Sequence, residues 1–121
     1  MLEVGQSHPY EAITRHIVEW IACLVRQDFT AANQYIDDFE GDDRIENYLA
    51  IEGDDGPIEA IDPTDDEWWQ ISFNPSHDAD GAILVDAYVP LAGEYRPMNA
   101  CFVFTPVQGG FRITFRYCKP S

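Results

Sequence analysis

The first part of the chain repeats its apolar residues at helical spacing. Between Pro9 and Gln27 they recur every three or four residues, which is the period of an amphipathic helix. Ser7 or His8 stands where a helix cap is expected, and Pro9 stands in the first turn. The pattern therefore predicts one long helix from about Pro9 to Gln27. Its apolar residues are Ile13, Ile17, Trp20, Ile21, Leu24 and Val25.

Two shorter helices are predicted to follow. Thr30 is a plausible cap for the second, which extends over about 31–37. Asp42 or Asp43 is a plausible cap for the third, which ends at Ala50. Glycine, proline and acidic residues then interrupt the helical pattern, so that an acidic loop is predicted at 52–67.

The second half of the chain changes to a period of two, which is typical of strands with one buried face. Alternation predicts four strands separated by turn residues. They lie at about 68–73, 82–89, 98–105 and 111–118. The sequence thus predicts a single α+β domain, residues 1–121, in which N-terminal helices (9–50) pack on a curved antiparallel sheet of about four strands (68–118).

The register of the last hairpin follows from its turn. If residues 109–110 form a two-residue loop, Phe104 lies opposite Phe115. Phe102 then lies opposite Tyr117, and the aromatic faces match. A one-residue slip would exchange the buried and exposed faces, whereas a two-residue shift keeps them and stays open.

Cysteine usage and the N-terminal pattern bear on the compartment. In that register Cys101 lies opposite Cys118, where a bridge can form but would be strained and reducible. The three cysteines are an odd number, no signal-peptide pattern is present, and no run approaches the about 18 apolar residues of a membrane span. We therefore expect a cytoplasmic protein with free thiols.

Charge is the sharpest functional feature of the sequence. Asp and Glu number 22 against 7 Lys and Arg, a net charge of −15 that argues against contact with nucleic acid or an anionic membrane. Residues 28–67 hold 15 acidic residues and one basic residue, Arg44, and the rest of the chain is nearly neutral. This clustering suggests a surface kept acidic to meet a basic partner; the alternative is a solvated acidic face.

The residues predicted to contact that partner lie within residues 28–67 or directly after them. Trp68 is included because one of Trp68 and Trp69 points away from the core if the segment is a strand, unless both faces are covered. The predicted contact residues are Asp37, Asp38, Glu40, Asp42, Asp43, Glu46, Asp54, Asp55, Asp65, Asp66, Glu67 and Trp68.

No motif in the sequence indicates catalysis, a metal or a cofactor. Calcium-loop templates fail at needed ligands, the histidines and cysteines lack zinc spacing, and no nucleophile or phosphate-loop motif is present. His16, at the edge of the first helix's apolar stripe, is expected to be a half-buried structural histidine. Arg112 and Arg116 are expected to pair with acidic residues of the same chain rather than to bind an anion.

The order of elements resembles a known fold. The helix AITRHIVEWIACLVRQDF, the helix DDRIENYLA and the stretch VPLAGEYRPMNACFVFTPVQGGFRITFRY are similar to a trimmed nuclear-transport-factor and ketosteroid-isomerase cone. The isomerase's catalytic acids and tyrosine have no matching positions in this chain, so the resemblance implies a fold and no activity.

A second resemblance concerns function. Small, strongly acidic single-domain chains resemble bacterial immunity proteins that neutralise nuclease toxins, including those of contact-dependent inhibition. This resemblance implies a non-enzymatic antitoxin that binds a basic toxin nuclease domain. Two alternatives remain: a small-ligand binding protein or enzyme with a pocket in a cone-shaped sheet, and a nucleic-acid mimic that inhibits a DNA-binding protein.

Overall fold

The computed structural model describes residues 2–5, 8–41, 71–75, 81–89 and 98–120. It confirms the predicted α+β class: helices accompany a curled antiparallel sheet that forms a half-barrel. In chain order the elements are β1 (Leu2–Glu3), α1 (Pro9–Val25), α2 (Phe29–Asn33), β2 (Asp38–Phe39), β3 (Ile71–Pro75), β4 (Ile83–Val89), β5 (Met98–Val107) and β6 (Gly110–Pro120).

Helix α1 matches its prediction closely. The His8 ring accepts a hydrogen bond from the Tyr10 amide at 3.2 Å, and Pro9 occupies the first turn. The helix ends at Val25, and Gln27 adopts a φ of 58°, so the chain turns there. None of the helices in the described ranges is long and apolar enough to cross a membrane.

The second helix is shorter than predicted and starts earlier. Asp28, not Thr30, caps it, because the Asp28 carboxylate accepts the Ala31 amide at 3.1 Å. Helix α2 ends at Asn33, so the prediction of a helix to residue 37 is wrong, and the chain becomes extended at β2. The third predicted helix (43–50), the acidic loop (52–67) and the start of the first predicted strand (68–70) lie outside the described residues.

The sheet has more strands than the four predicted. The order is β1-β6-β5-β4-β3, with all these neighbours antiparallel, and β2 pairs with β6 in parallel. The two additional strands, β1 and β2, have two residues each, which is too short for an alternation pattern to reveal.

The hairpin register differs from the predicted one by two residues. Val107 pairs with Gly110, so residues 108–109 form the loop, and Phe104 lies opposite Ile113. The predicted pairings are therefore wrong. A shift of two residues separates the two registers, and a shift of this size keeps the same side chains on the buried face. The buried face, not the identity of each pair, is what the sequence pattern specifies.

A β-bulge then changes the pairing along β6. Phe102 pairs with Phe115 but Cys101 pairs with Tyr117, so Arg116 is the additional residue. Because Cys101 and Phe102 point to opposite faces, Tyr117 lies on the outer face of the sheet. The prediction that Tyr117 faces Phe102 inside is wrong for this reason.

The same bulge separates the two cysteines of the hairpin. Cys118 pairs with Ala100 and packs against the core, while Cys101 lies on the outer face, and neither forms a disulfide. Burial raises the pKa of Cys101 to about 11, and the nearby charge of Asp86 adds to the increase. This thiol is therefore protonated and unreactive at neutral pH.

The core lies between α1 and the concave face of the sheet. The Trp20 ring packs edge-on against Phe102, with 5.0 Å between ring centres, and Phe102 packs against Phe115 at 5.4 Å. Each fully buried large side chain stabilises the fold by roughly 1.5–3 kcal/mol. The largest of them are Trp20, Phe102, Phe104, Phe115, Ile13, Ile17, Ile21, Leu24, Met98 and Ile113.

His16 closes the edge of this core, as its position in the pattern indicates. Its Nε2 donates a hydrogen bond to the Tyr35 carbonyl at 2.8 Å, and its ring lies edge-on to Tyr35 and Phe104. Burial lowers the pKa of His16 below its ordinary 6.5, although the Tyr35 carbonyl opposes this shift.

We expect His16 to make the free energy of unfolding depend on pH. Because the folded pKa is lowered, the unfolded chain takes up the proton first, so stability is lost as pH falls from 6.5 through the lower folded pKa. Urea unfolding at pH 7.5 and at pH 5.5 measures this loss. His16→Gln, which keeps a donor for Tyr35, should lose less stability than the wild type; equal losses would contradict this role.

We expect Gly110 to be required for the docking of β1. A Cβ atom there would overlap the Leu2 carbonyl oxygen, so Gly110→Ala must displace β1. The expected cost is about 1–3 kcal/mol in urea unfolding. In a variant lacking residues 2–5 the same substitution should cost much less, and a similar cost in both backgrounds would show that the contact with Leu2 is not the cause.

Candidate partner-binding surface

Three of the twelve predicted contact residues lie in the described part of the chain. Asp37, Asp38 and Glu40 are all within or beside β2, and the structure brings them together along the edge of β6. The remaining nine lie outside the described residues: Asp42, Asp43, Glu46, Asp54, Asp55, Asp65, Asp66, Glu67 and Trp68.

Backbone pairing and one aromatic side chain hold β2 against β6. The Asp37 amide donates to the Ile113 carbonyl at 2.9 Å, and the Glu40 amide donates to the Phe115 carbonyl at 2.8 Å. Phe39, between these residues, packs against the core, and its ring centre lies 6.0 Å from that of Phe115. The alternation along β2 thus places Phe39 inside and its acidic neighbours outside.

The outward acidic side chains meet the two arginines of β6. Asp38 accepts two hydrogen bonds from Arg112, from Nε at 2.5 Å and from Nη2 at 2.9 Å, which is the fork geometry of a bidentate pair. Glu40 lies 3.3 Å from Arg116 Nε. The expectation that these arginines pair with acidic residues of the same chain is therefore confirmed.

Asp37 is held differently, by the backbone of β6. Its Oδ2 accepts the Ile113 amide at 2.8 Å, in addition to the backbone bond between the same two residues. Partial burial raises the pKa of Asp37, but attractive contacts, among them this amide and the charge on Arg112, outweigh that effect and lower it. The hydrogen bonds from Arg112 also lower the pKa of Asp38, so both carboxylates are ionised at neutral pH.

The β2 acids therefore have a structural role that sequence reasoning did not assign to them. Their side chains remain accessible, with 44% of Asp38 and 60% of Glu40 exposed. Exposed carboxylates that accept one donor have lone pairs for another, so contact with a partner stays a prediction for these residues. The sequence indicates β2 only through the alternation of polar and apolar residues at 38–40. Three residues are too few to distinguish a strand from the end of a helix.

A second surface feature lies at the other edge of the sheet. An open depression of about 450 Å³ lies between residues of α1 and β3 where their side chains meet, and it has a mainly apolar lining. Its residues are Tyr10, Glu11, Thr14, Arg15 and Phe73. We call it the α1–β3 groove. No set of three or more metal-binding side chains occurs within the described ranges.

We expect Asp37 to stabilise the fold more than its exposed neighbours do. Asp37→Ala leaves the Ile113 amide without its side-chain acceptor, at an expected cost of about 1–2 kcal/mol in urea unfolding at pH 7. Asp37→Asn keeps an acceptor oxygen and should recover most of this stability. Glu40→Ala is the control, because an exposed ion pair contributes little; the assignment fails if Glu40→Ala costs as much as Asp37→Ala.

Comparisons with protein-family models, with curated protein sequences and with solved structures found no match to this chain. The resemblances to the cone fold and to immunity proteins therefore stay predictions from the sequence. The charge distribution and the two surfaces, along β2 and at the α1–β3 groove, are the features of this chain that bear on its function.

Proposed function

We propose that this protein is a non-enzymatic immunity protein, or antitoxin, that binds and neutralises a basic partner in the cytoplasm. The expected partner is a toxin nuclease domain, whose nucleic-acid cleft is basic by necessity. One observation carries the proposal: residues 28–67 hold 15 of the chain's 22 acidic residues and a single base. Because like charges repel, clustering them costs stability, and the binding of a basic partner offsets that cost in the complex.

The ion pairs on β6 support this proposal. Arg112 and Arg116 are engaged with Asp38 and Glu40, so these bases are not free to neutralise acids elsewhere. Beyond β2, residues 42–67 add 11 acidic residues and only Arg44. We expect the negative charge of this acidic segment, residues 42–67, to speed the encounter with a basic protein and to mimic phosphates.

The two alternatives have less support. A ligand-binding protein of the cone type would keep a cavity on the concave side of its sheet. In the part of the chain described, that side is filled by fully buried residues, including Trp20, Phe102 and Phe104. A nucleic-acid mimic that inhibits a DNA-binding protein shares the same electrostatics and differs only in the identity of the partner.

Purification from the native cells tests the proposal directly. The tagged protein is recovered at low salt, and the proteins that leave the column at high salt are identified. A stoichiometric basic polypeptide encoded beside this chain, toxic when expressed alone and harmless when co-expressed, would support the immunity role. A catalytically inactive form of that polypeptide must then bind the purified protein one to one.

We expect the acidic segment to control the association rate. Neutralising Asp42, Asp43, Asp54 and Asp55 together, each to Asn, should slow association at low salt about 10- to 100-fold and flatten its dependence on salt. Stopped-flow mixing with the identified partner measures both.

A charge-matched pair controls for net charge alone. Asp54→Asn/Asp55→Asn and Glu3→Gln/Glu19→Gln remove the same two charges, from inside and outside the acidic segment. The rates of the second pair should stay near the wild-type value. If both pairs slow association equally, only net charge matters and the segment has no special role.

A further inference from the structure

We propose that the α1–β3 groove receives an extended segment of a basic polypeptide, which adds to the sheet as a strand beside β3. The inference shares with the proposed function only the class of partner, a basic protein. It assigns a second binding surface, at the edge of the sheet opposite to β2.

The edge of β3 supplies the backbone contacts. Among the described residues β3 pairs with β4 alone, through the register Ile71 to Ala87 and Phe73 to Val85. Within the described ranges, no strand pairs with the amide and carbonyl groups that point away from β4, and a sheet edge of this kind accepts an added strand. Pro75 ends β3 without a backbone donor, which restricts pairing to the few residues before it.

The groove supplies a place for side chains of the added strand. The Tyr10 ring packs on Phe73, with 4.8 Å between ring centres, and 47% of Tyr10 is exposed. Phe73 belongs to the inner face of the sheet. Because side chains of a strand alternate between the two faces, every second side chain of an added strand would point into the groove. An aromatic or aliphatic side chain fits its apolar lining.

The charge of the protein decides between two kinds of occupant. A second copy of this chain would bring together two proteins of charge −15, which repel. On the outer face, Ser72 is small and exposed, and Asp86 pairs with it directly on β4. A Lys or Arg on the other side of the added strand can extend across Ser72 towards Asp86. The occupant is thus an extended segment that alternates basic and apolar residues.

The groove contains one acidic and one basic residue, so the charge of its occupant can be tested by removing each of them in turn. Glu11 attracts a basic segment, while Arg15 repels it. Glu11→Gln should therefore weaken binding, and Arg15→Gln should strengthen it. An acidic or neutral occupant would reverse or abolish these effects.

The probe is a seven-residue peptide, acetylated and amidated, with Lys at alternate positions and Phe, Val and Phe between them. Binding is followed by amide chemical shifts and by hydrogen exchange of the full-length protein. We expect slower exchange of β3 amides and shifts at Tyr10 and Thr14. A peptide with proline in place of valine cannot pair along its length and should bind more weakly.

Tyr10→Ala and Val18→Ala are matched variants, because both residues are exposed apolar side chains of α1 but only Tyr10 lines the groove. Tyr10→Ala should raise the Kd of the peptide about fivefold or more, as loss of an aromatic anchor does, and Val18→Ala should leave it unchanged. The Tm of each variant confirms that it is folded. Equal effects of the two variants, or unchanged β3 exchange at 1 mM peptide, would overturn the proposal.

The variant with Asn at residues 42, 43, 54 and 55 tests whether the peptide binds to the acidic segment instead of the groove. Groove binding should keep its dependence on Tyr10 in that background. If the peptide protects β3 but no basic toxin is found, the immunity role fails and the groove assignment stands. If a toxin is found but the peptide leaves β3 unprotected, the reverse holds.

Discussion

The packing of one helix stripe into the concave face of a curled sheet is the constraint on which this structure depends. Trp20 lies at its centre, edge-on to Phe102 and within 6.4 Å of Phe115 between ring centres. A sheet with one apolar face is not stable alone in water, and α1 is the element that covers this face. The even spacing of inward residues on β4, β5 and β6 follows from this requirement, because a one-residue slip would turn the aromatic residues towards water.

Strand β6 is the strand to which three other strands of the sheet pair. It pairs with β5 along its length, with β1 through the space that Gly110 leaves, and with β2 through Asp37 and its neighbours. The bulge at Arg116 turns the end of β6 over, so that Tyr117 changes face. A single strand thus sets both the closure of the core and the place where the acidic part of the chain leaves the sheet. The proposed electrostatic surface therefore begins at a strand that is hydrogen-bonded to β6.

Some acidic residues of one run hold β2 on the sheet, and the sequence does not distinguish them from those proposed to contact a partner. Asp37, Asp38 and Glu40 were grouped with nine other residues as partner contacts, yet each has a bond to β6. Arg112 lies 74 residues from Asp38 in the chain. Composition detects an excess of charge but not which charges are paired, because pairing depends on contacts between distant segments. The α1–β3 groove was not predicted for the same reason: Tyr10 and Phe73 belong to separate elements.

The sequence by itself determined the long helix, the strands of the central meander, their buried faces and the α+β class, because each rests on a periodicity sustained over several residues. Tertiary structure alone decided the rest. It placed the short strands β1 and β2, replaced the end of the second predicted helix with extended chain, moved the hairpin register by two residues and introduced the bulge. The short strands have two residues each, the register shift keeps the same residues buried, and the bulge is a single additional residue, so local pattern carries no information about these features. Only the closeness of distant backbone groups, such as those of Asp37 and Ile113, selects them.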